Sequence, residues 1–205
     1  MTGATITAVT SGKGGVGKTF VAANLAAALA RAGQRVLVLD ADLGLANLDV
    51  LLNLAARVTL HDVFTGRATL DEALQPAPGG FTVLLAGSGL VEYSRMTPEV
   101  RDKLFDVIAQ VRPRFDQVLL DTGAGISDVV LFTVSLADEV LVVATPEPTS
   151  LTDAYAPSRC WRPPRRRGRC ACWSTRCSAR AKAVRCAASC SRCWTASSTP
   201  SWPRR

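Results

Sequence analysis

At 205 residues the chain can hold one α/β domain with a real core, and its net charge of +7 suggests a nucleic-acid binder. All 17 acidic residues lie at or before Asp153, so the body counts 11 basic groups against those 17, a net −6, which argues against a surface built to hold phosphate backbones. No signal peptide, no apolar run near the ~18 residues of a membrane span and no cysteine before Cys160 make a cytoplasmic protein without disulfides the expectation.

The first predicted element is a buried strand over Ala4–Thr10 (ATITAVT), a short β-branched run. Next comes Ser11-Gly12-Lys13-Gly14-Gly15-Val16-Gly17-Lys18-Thr19, which fits G-x-x-x-x-G-K-[ST] from Gly12 to Thr19. Phe20–Ala32, rich in Ala and Leu, predicts a helix that stops at Gly33. Strand, glycine loop and helix stand in the order a phosphate cradle needs. The glycines let backbone N–H groups turn toward phosphate oxygens, and the helix amino terminus adds partial positive charge there. Gly12 to Thr19 is therefore the candidate binding loop, with Lys18 reaching the β- and γ-phosphates and the Thr19 hydroxyl ligating Mg²⁺.

Arg35–Asp40 (RVLVLD) predicts a second buried strand ending in Asp40-Ala41-Asp42. Carboxylates at the carboxyl edge of a parallel strand face the ligand crevice of a doubly wound sheet. Asp42 is the candidate for orienting an attacking water and Asp40 for holding the Mg²⁺ water shell; the alternative is that both merely end the strand. Val58–Leu74 reads as short amphipathic helices, and His61, the only histidine, as a helix-start residue. Phe81–Ala86 (FTVLLA) predicts a third strand ended by Gly87-Ser88-Gly89. Thr97-Pro98-Glu99 opens a helix that runs toward Val111 and stops before Pro113. Asp116–Asp121 (DQVLLD) predicts a strand whose last carboxylate, Asp121, holds Mg²⁺ through water. The glycines of Thr122–Ile126 let the backbone approach the γ-phosphate. A helix over Ser127–Leu136, a strand over Asp138–Ala144 and a Ser/Thr-capped helix within Thr145–Tyr155 complete a doubly wound, mostly parallel α/β pattern.

A lysine directly after the first glycine, Lys13, marks a deviant form of the loop, and with it residues 1–155 resemble the MinD/ParA family of P-loop ATPases. Asp121-Thr122-Gly123-Ala124-Gly125-Ile126-Ser127 and Thr145–Tyr155 resemble its flagellar branch, the FlhG (FleN) number regulators; Gly123 stands where MinD usually carries proline. The resemblance implies ATP and Mg²⁺ as ligands, slow ATP hydrolysis and an ATP-sandwiched homodimer that regulates flagellar number or placement. In such a dimer Lys13 crosses to the partner's nucleotide, a cation supplied in trans as an arginine finger is. Leu43–Leu52 becomes the switch I segment, with Asn47 either a contact to the partner subunit or a turn cap. Other implied partners are the SRP-type GTPase FlhF and the inner face of the cell membrane, reached through a C-terminal amphipathic helix. Many members carry an FlhF-activating segment ahead of the first strand, whereas here that strand begins within a few residues of Met1. A MinD-type division ATPase and a ParA-type DNA-partition ATPase are the alternatives, and the acidic body disfavours DNA. An electron carrier of the nitrogenase-iron-protein type needs cluster cysteines, and residues 1–155 have none.

Residues 156–205 have another composition: 12 arginines, Lys182, all 7 cysteines bar none and all 4 tryptophans, without one acid. With no periodic apolar face, this tail is expected to be an out-of-frame translation from about Pro157. Cys170-x-Cys172 and Cys190-x-x-Cys193 are the rival reading as zinc pairs, but their spacings fit no familiar zinc pattern and no zinc is expected. Joining the last base of each codon to the first two of the next makes Cys172-Trp173 encode Leu. With four-fold-box Ser and Arg codons, the dipeptides from Arg169 to Thr175 then allow Arg-Val-Leu-Val-Asn. That is a buried strand where the family has its next strand and its adenine-contacting asparagine. The domain is accordingly expected to be truncated on its C-terminal side, with an open sheet edge.

Overall fold

The computed structural model describes residues 3–43, 47–87 and 96–154, and the backbone alone of 155–160, 169–174 and 184–187. Parts of the expected switch I segment (Gly44–Ala46), the Ser88-Gly89 end of the third strand, and the tail's cysteine pairs as side chains lie outside the described residues.

One eight-stranded sheet runs in the order β3-β4-β2-β5-β1-β6-β7-β8. Its centre is β1 (Thr5–Ser11), flanked in parallel by β5 (Gln117–Ala124) and β6 (Glu139–Ala144). β2 (Val36–Ala41) lies parallel to β5 on one side and to β4 (Thr82–Leu84) on the other. The short β3 (Leu74–Pro76) adds an antiparallel edge; the sequence pattern places its Leu74 at the end of a helical stretch and signals no strand there. On the opposite side β7 (Arg169–Ser174) runs parallel to β6, and β8 (Val184–Ala187) antiparallel to β7. The expected open edge at β6 is thus covered by tail backbone.

The strands are apolar on both faces because helices cover both. Leu37, Leu39, Val118 and Leu120 pack with Val100, Leu104 and Val107 of α5 (Pro98–Val111) and Val130 and Val134 of α6 (Asp128–Ser135). The alternate residues Val36, Val38 and Leu119 pack on Ala23, Ala26 and Ala27 of α1 (Lys18–Arg31). Alanines on that helix let it lie close to the sheet. Three short helices follow β2: α2 (Leu48–Leu52), α3 (Leu60–Phe64) and α4 (Leu70–Ala73). Thr59 and Thr69 open the last two with capping boxes to Asp62 and Glu72. His61 sits in the first turn of α3, as its sequence context implied. The last helix among the described residues, α7 (Pro148–Cys160), packs on β6 and β1.

Candidate nucleotide site

The site grows from the end of β1. Gly17 takes φ 93°, a left-handed conformation that turns the chain into α1 without a side-chain cap on the first turn. The amide donors of that turn therefore face the cleft rather than a capping residue. The loop, the carboxyl ends of β2 and β5, and the start of α6 enclose a cleft of about 670 Å³. Gly14, Gly15, Gly17, Lys18 and Thr19 line it from the loop; Asp40, Asp42, Asp121 and Gly123 line it from the strands. Phe20, Leu43 and Asn47 complete its rim.

Asp40 and Asp121 occupy paired positions on β2 and β5, so their carboxylates stand side by side on the floor. Both are almost fully buried. Asp40 accepts from the Asp42 amide at 3.1 Å, yet its Oδ2 and the Oδ1 of Asp121 have no hydrogen-bond partner among the described residues. Burial, reinforced by the neighbouring Asp121 charge, pushes the Asp40 carboxyl up to about 8, with amide hydrogen bonds opposing. Burial also raises Asp121, to about 6, while the Thr19 hydroxyl and the Lys18 charge pull it down. The Lys18 amine is held below its ordinary value by burial, partly offset by Asp121 and Asp42. Unsatisfied buried carboxylate oxygens are costly unless a cation or proton meets them. Two carboxylates and a hydroxyl beside a phosphate loop fit a hard divalent ion that keeps several waters. Asp42 stands higher in the cleft, where a Cβ on Gly123 would lie 3.4 Å from its Oδ1.

Three loop residues do not line this cleft. Val16 is buried in the packing of α1 against β1 and β6. Gly12 abuts α7: a Cβ there would collide with the Asp153 carbonyl and lie 2.6 Å from the Ala154 nitrogen. Lys13 points outward, half exposed, with its Nζ 3.8 Å from Glu147 Oε2. The Glu147 contact and the Leu48 amide bond to Asp40 were missed by sequence reading, because Glu147 comes from a loop and Leu48 from the start of a five-residue helix, neither with a spacing signal.

A strand, glycine loop and helix closing over paired strand-end carboxylates define a P-loop nucleotide-binding domain. Residues 4–155 match the family described as AAA domain, and the chain belongs to that family, in its MinD/ParA group. It is 49% identical to the antiactivator FleN of Pseudomonas aeruginosa, over 74% of this chain and 54% of that protein. It is 38% identical to the flagellum site-determining protein YlxH of Helicobacter pylori, over 73% of this chain and 51% of that one. Among solved structures it resembles the septum site-determining protein MinD of Pyrococcus horikoshii complexed with Mg-ADP, at TM-score 0.63 and 33% identity, covering 73% of this chain and 61% of that one. The chain spans about half the length of the curated relatives it matches.

Proposed function

We propose that the body, residues 1–155, binds Mg·ATP and acts as a slowly hydrolysing dimerisation switch in the control of flagellar number or placement. The observation that carries this is the position of Lys13. It belongs to the phosphate loop but stands outside that loop's own cleft, exposed and 3.8 Å from Glu147. A cation so placed cannot serve its own nucleotide without leaving Glu147; it is free to serve one presented by a second copy. Phe20, which lines the cleft, is 61% exposed, and Ile126, between the lining residues Ala124 and Ser127, 52%, as on a face meant for another subunit.

Within the cleft Lys18 and the loop amides hold the phosphates, and Asp42 orients the attacking water. Mg²⁺, when bound by Thr19, Asp40 and Asp121, supplies positive charge that neutralises the phosphates. Binding free energy then biases association of two copies, and hydrolysis releases them. The flagellar assignment follows the FleN and YlxH likenesses. A MinD-type division role is the second reading, favoured by the 40% identity to MinD of Thermotoga maritima. FlhF and the inner membrane face are proposed as partners in the flagellar case.

The test is Lys13→Ala in the full chain. It should keep Mg·ADP affinity while lowering ATP turnover by about 10³-fold or more and removing the ATP-dependent doubling of mass. An unchanged turnover rate would sink the trans-lysine reading. Deleting the gene should change the number of flagella per cell; a septation defect instead would favour the division role.

A further inference from the structure

We infer that the chain from about residue 157 onward is translated one base out of register from a segment that, in register, supplies this sheet's next strand, its cleft-edge polar residue and an amphipathic helix. The codon pattern stands whatever the function; only the role given to the polar residue rests on the function proposed above.

Cysteine and tryptophan codons all begin with TG. A codon formed from any preceding base and that TG is ATG, CTG, GTG or TTG, and so encodes Met, Leu or Val and nothing else. The tail's 7 cysteines and 4 tryptophans therefore become 11 apolar residues, whatever the synonymous codons used. Cys160-Trp161, Cys172-Trp173 and Cys193-Trp194 each become Leu without alternative, and Trp194-Thr195 becomes Asp. A tail with no periodic apolar pattern in one register acquires the two periodicities of a folded domain in the other. At positions 186, 190, 193 and 194 the apolar residues recur at i, i+4, i+7 and i+8, one stripe of an amphipathic helix. At 170, 172 and 173 they cluster as in a strand buried on both faces.

The sheet gives that second cluster its place. β7 pairs with β6 over six positions, from Glu139↔Arg169 to Ala144↔Ser174, in the parallel sense that continues the doubly wound order. β6 is buried from Val140 to Ala144, so its neighbour belongs to the interior and calls for apolar side chains. The displaced codons over Arg169–Ser174 read Leu/Met/Val, Arg or Cys, Leu/Met/Val, Leu, then Val when Ser174 has a TCN codon. The next, from Ser174-Thr175, reads Asn, Asp, His or Tyr on such codons, placing a polar side chain at the carboxyl end of the strand beside Ala144. That is the edge on which Asp40 and Asp121 stand. The register shift is the one left by a single base missing near codon 156, just after the last residue of the family match.

The DNA decides it. Read from codon 157 in the displaced register, it should be free of stops past codon 205, give asparagine (AAC) at codons 174–175, and continue into sequence similar to the second half of FleN and YlxH. A stop codon within that stretch, or an open register with no such similarity, would overturn the inference. In parallel, the chain with one base restored near codon 156 is compared with the present chain, with Mg·ADP as probe. The restored protein should bind at least about 10-fold tighter, the range of a bidentate amide–adenine contact being 10- to 100-fold. Cooperative unfolding of the restored protein without Mg·ADP binding would reject the nucleotide reading while supporting the register shift. Cooperative folding of the present chain through Arg205, with no gain on restoration, would reject the shift.

Discussion

Replacing Gly12 by alanine tests how the phosphate loop is held, because its consequence follows from backbone positions alone. The new Cβ falls on the Asp153 carbonyl and 2.6 Å from the Ala154 nitrogen, where ordinary contact begins at 3.4 Å. Neither neighbour is the end of a flexible side chain, so the loop or α7 must move by roughly 1 Å in an interior packed at crystal density. Overpacking of this kind costs about 1–3 kcal/mol. A phosphate cradle displaced by that distance loses about 10²-fold in a step that depends on positioning. Two further glycines in the loop act as controls. Gly14 has nothing among the described residues within 4 Å of a new Cβ and no positive φ, so Gly14→Ala should leave stability within about 0.5 kcal/mol. Gly15 also has open space but sits at φ +75°, and Gly15→Ala should cost about 1–2 kcal/mol from backbone strain alone. Urea midpoints and Mg·ADP affinities of the three variants measure the order. If Gly12→Ala is as stable as Gly14→Ala and binds Mg·ADP equally well, the close loop–helix contact does not exist in solution.

Lys18→Ala should abolish nucleotide binding, since the phosphates lose their main point charge; retained micromolar affinity by titration calorimetry would reject the assignment. Asp42→Ala should slow turnover by about 10² to 10⁴-fold while ATP-bound dimers accumulate, as seen by light scattering. Failure of that variant to dimerise with ATP would make Asp42 a metal or structural residue and Asp40 the better candidate for the water. Asp40 and Asp121 hold protons up to about pH 8 and 6 in the folded protein but only to about 3.8 when unfolded. The folded state therefore binds more protons across that window, so the stability of the nucleotide-free protein should fall as pH rises from 5 to 8.5. A urea midpoint that is flat or rising over the window would contradict the buried pair. Mg·ADP binding at pH 7 should release close to one proton, measurable by calorimetry in buffers of different ionisation enthalpy.

The parts of this molecule that sequence made legible are those whose function constrains a local pattern. The loop had to be strand, glycines, lysine, hydroxyl and helix in that order, and it folds so, with α1 beginning at Lys18 rather than Phe20 because the helix starts directly on the left-handed Gly17. Asp40 and Asp121 were legible because apolar runs ending in a carboxylate mark the ligand edge of a parallel sheet. β3 was not: three residues pairing antiparallel with β4 carry no period of their own. The short α2 was hidden as well. Its residues were read only as a switch segment, and its Leu48 amide bonds Asp40 across a turn that no spacing rule announces. Lys13 shows the same limit. Its identity follows from the motif, but its direction depends on Glu147, which loop geometry alone brings near.

The phosphate loop therefore has two sides. Gly14, Gly15 and Gly17 to Thr19 face the cleft, while Gly12 and Lys13 face the segment that leads into and along α7, through Glu147, Asp153 and Ala154. Any force that shifts α7 is felt by the loop through a backbone contact with no slack. α7 is also the last element before the composition changes, and it ends at Cys160. A register error beginning near codon 157 thus replaces the end of the helix that buttresses the loop as well as the strand beyond it. The cleft residues before Ala154 are unaltered by such an error, yet their geometry depends on a helix whose last four residues, 157–160, are then not the ones the body was built with. Weakened nucleotide binding is then expected without a single substitution in the cleft, and restoring one base should recover it where no point mutation of Gly12 to Thr19 can.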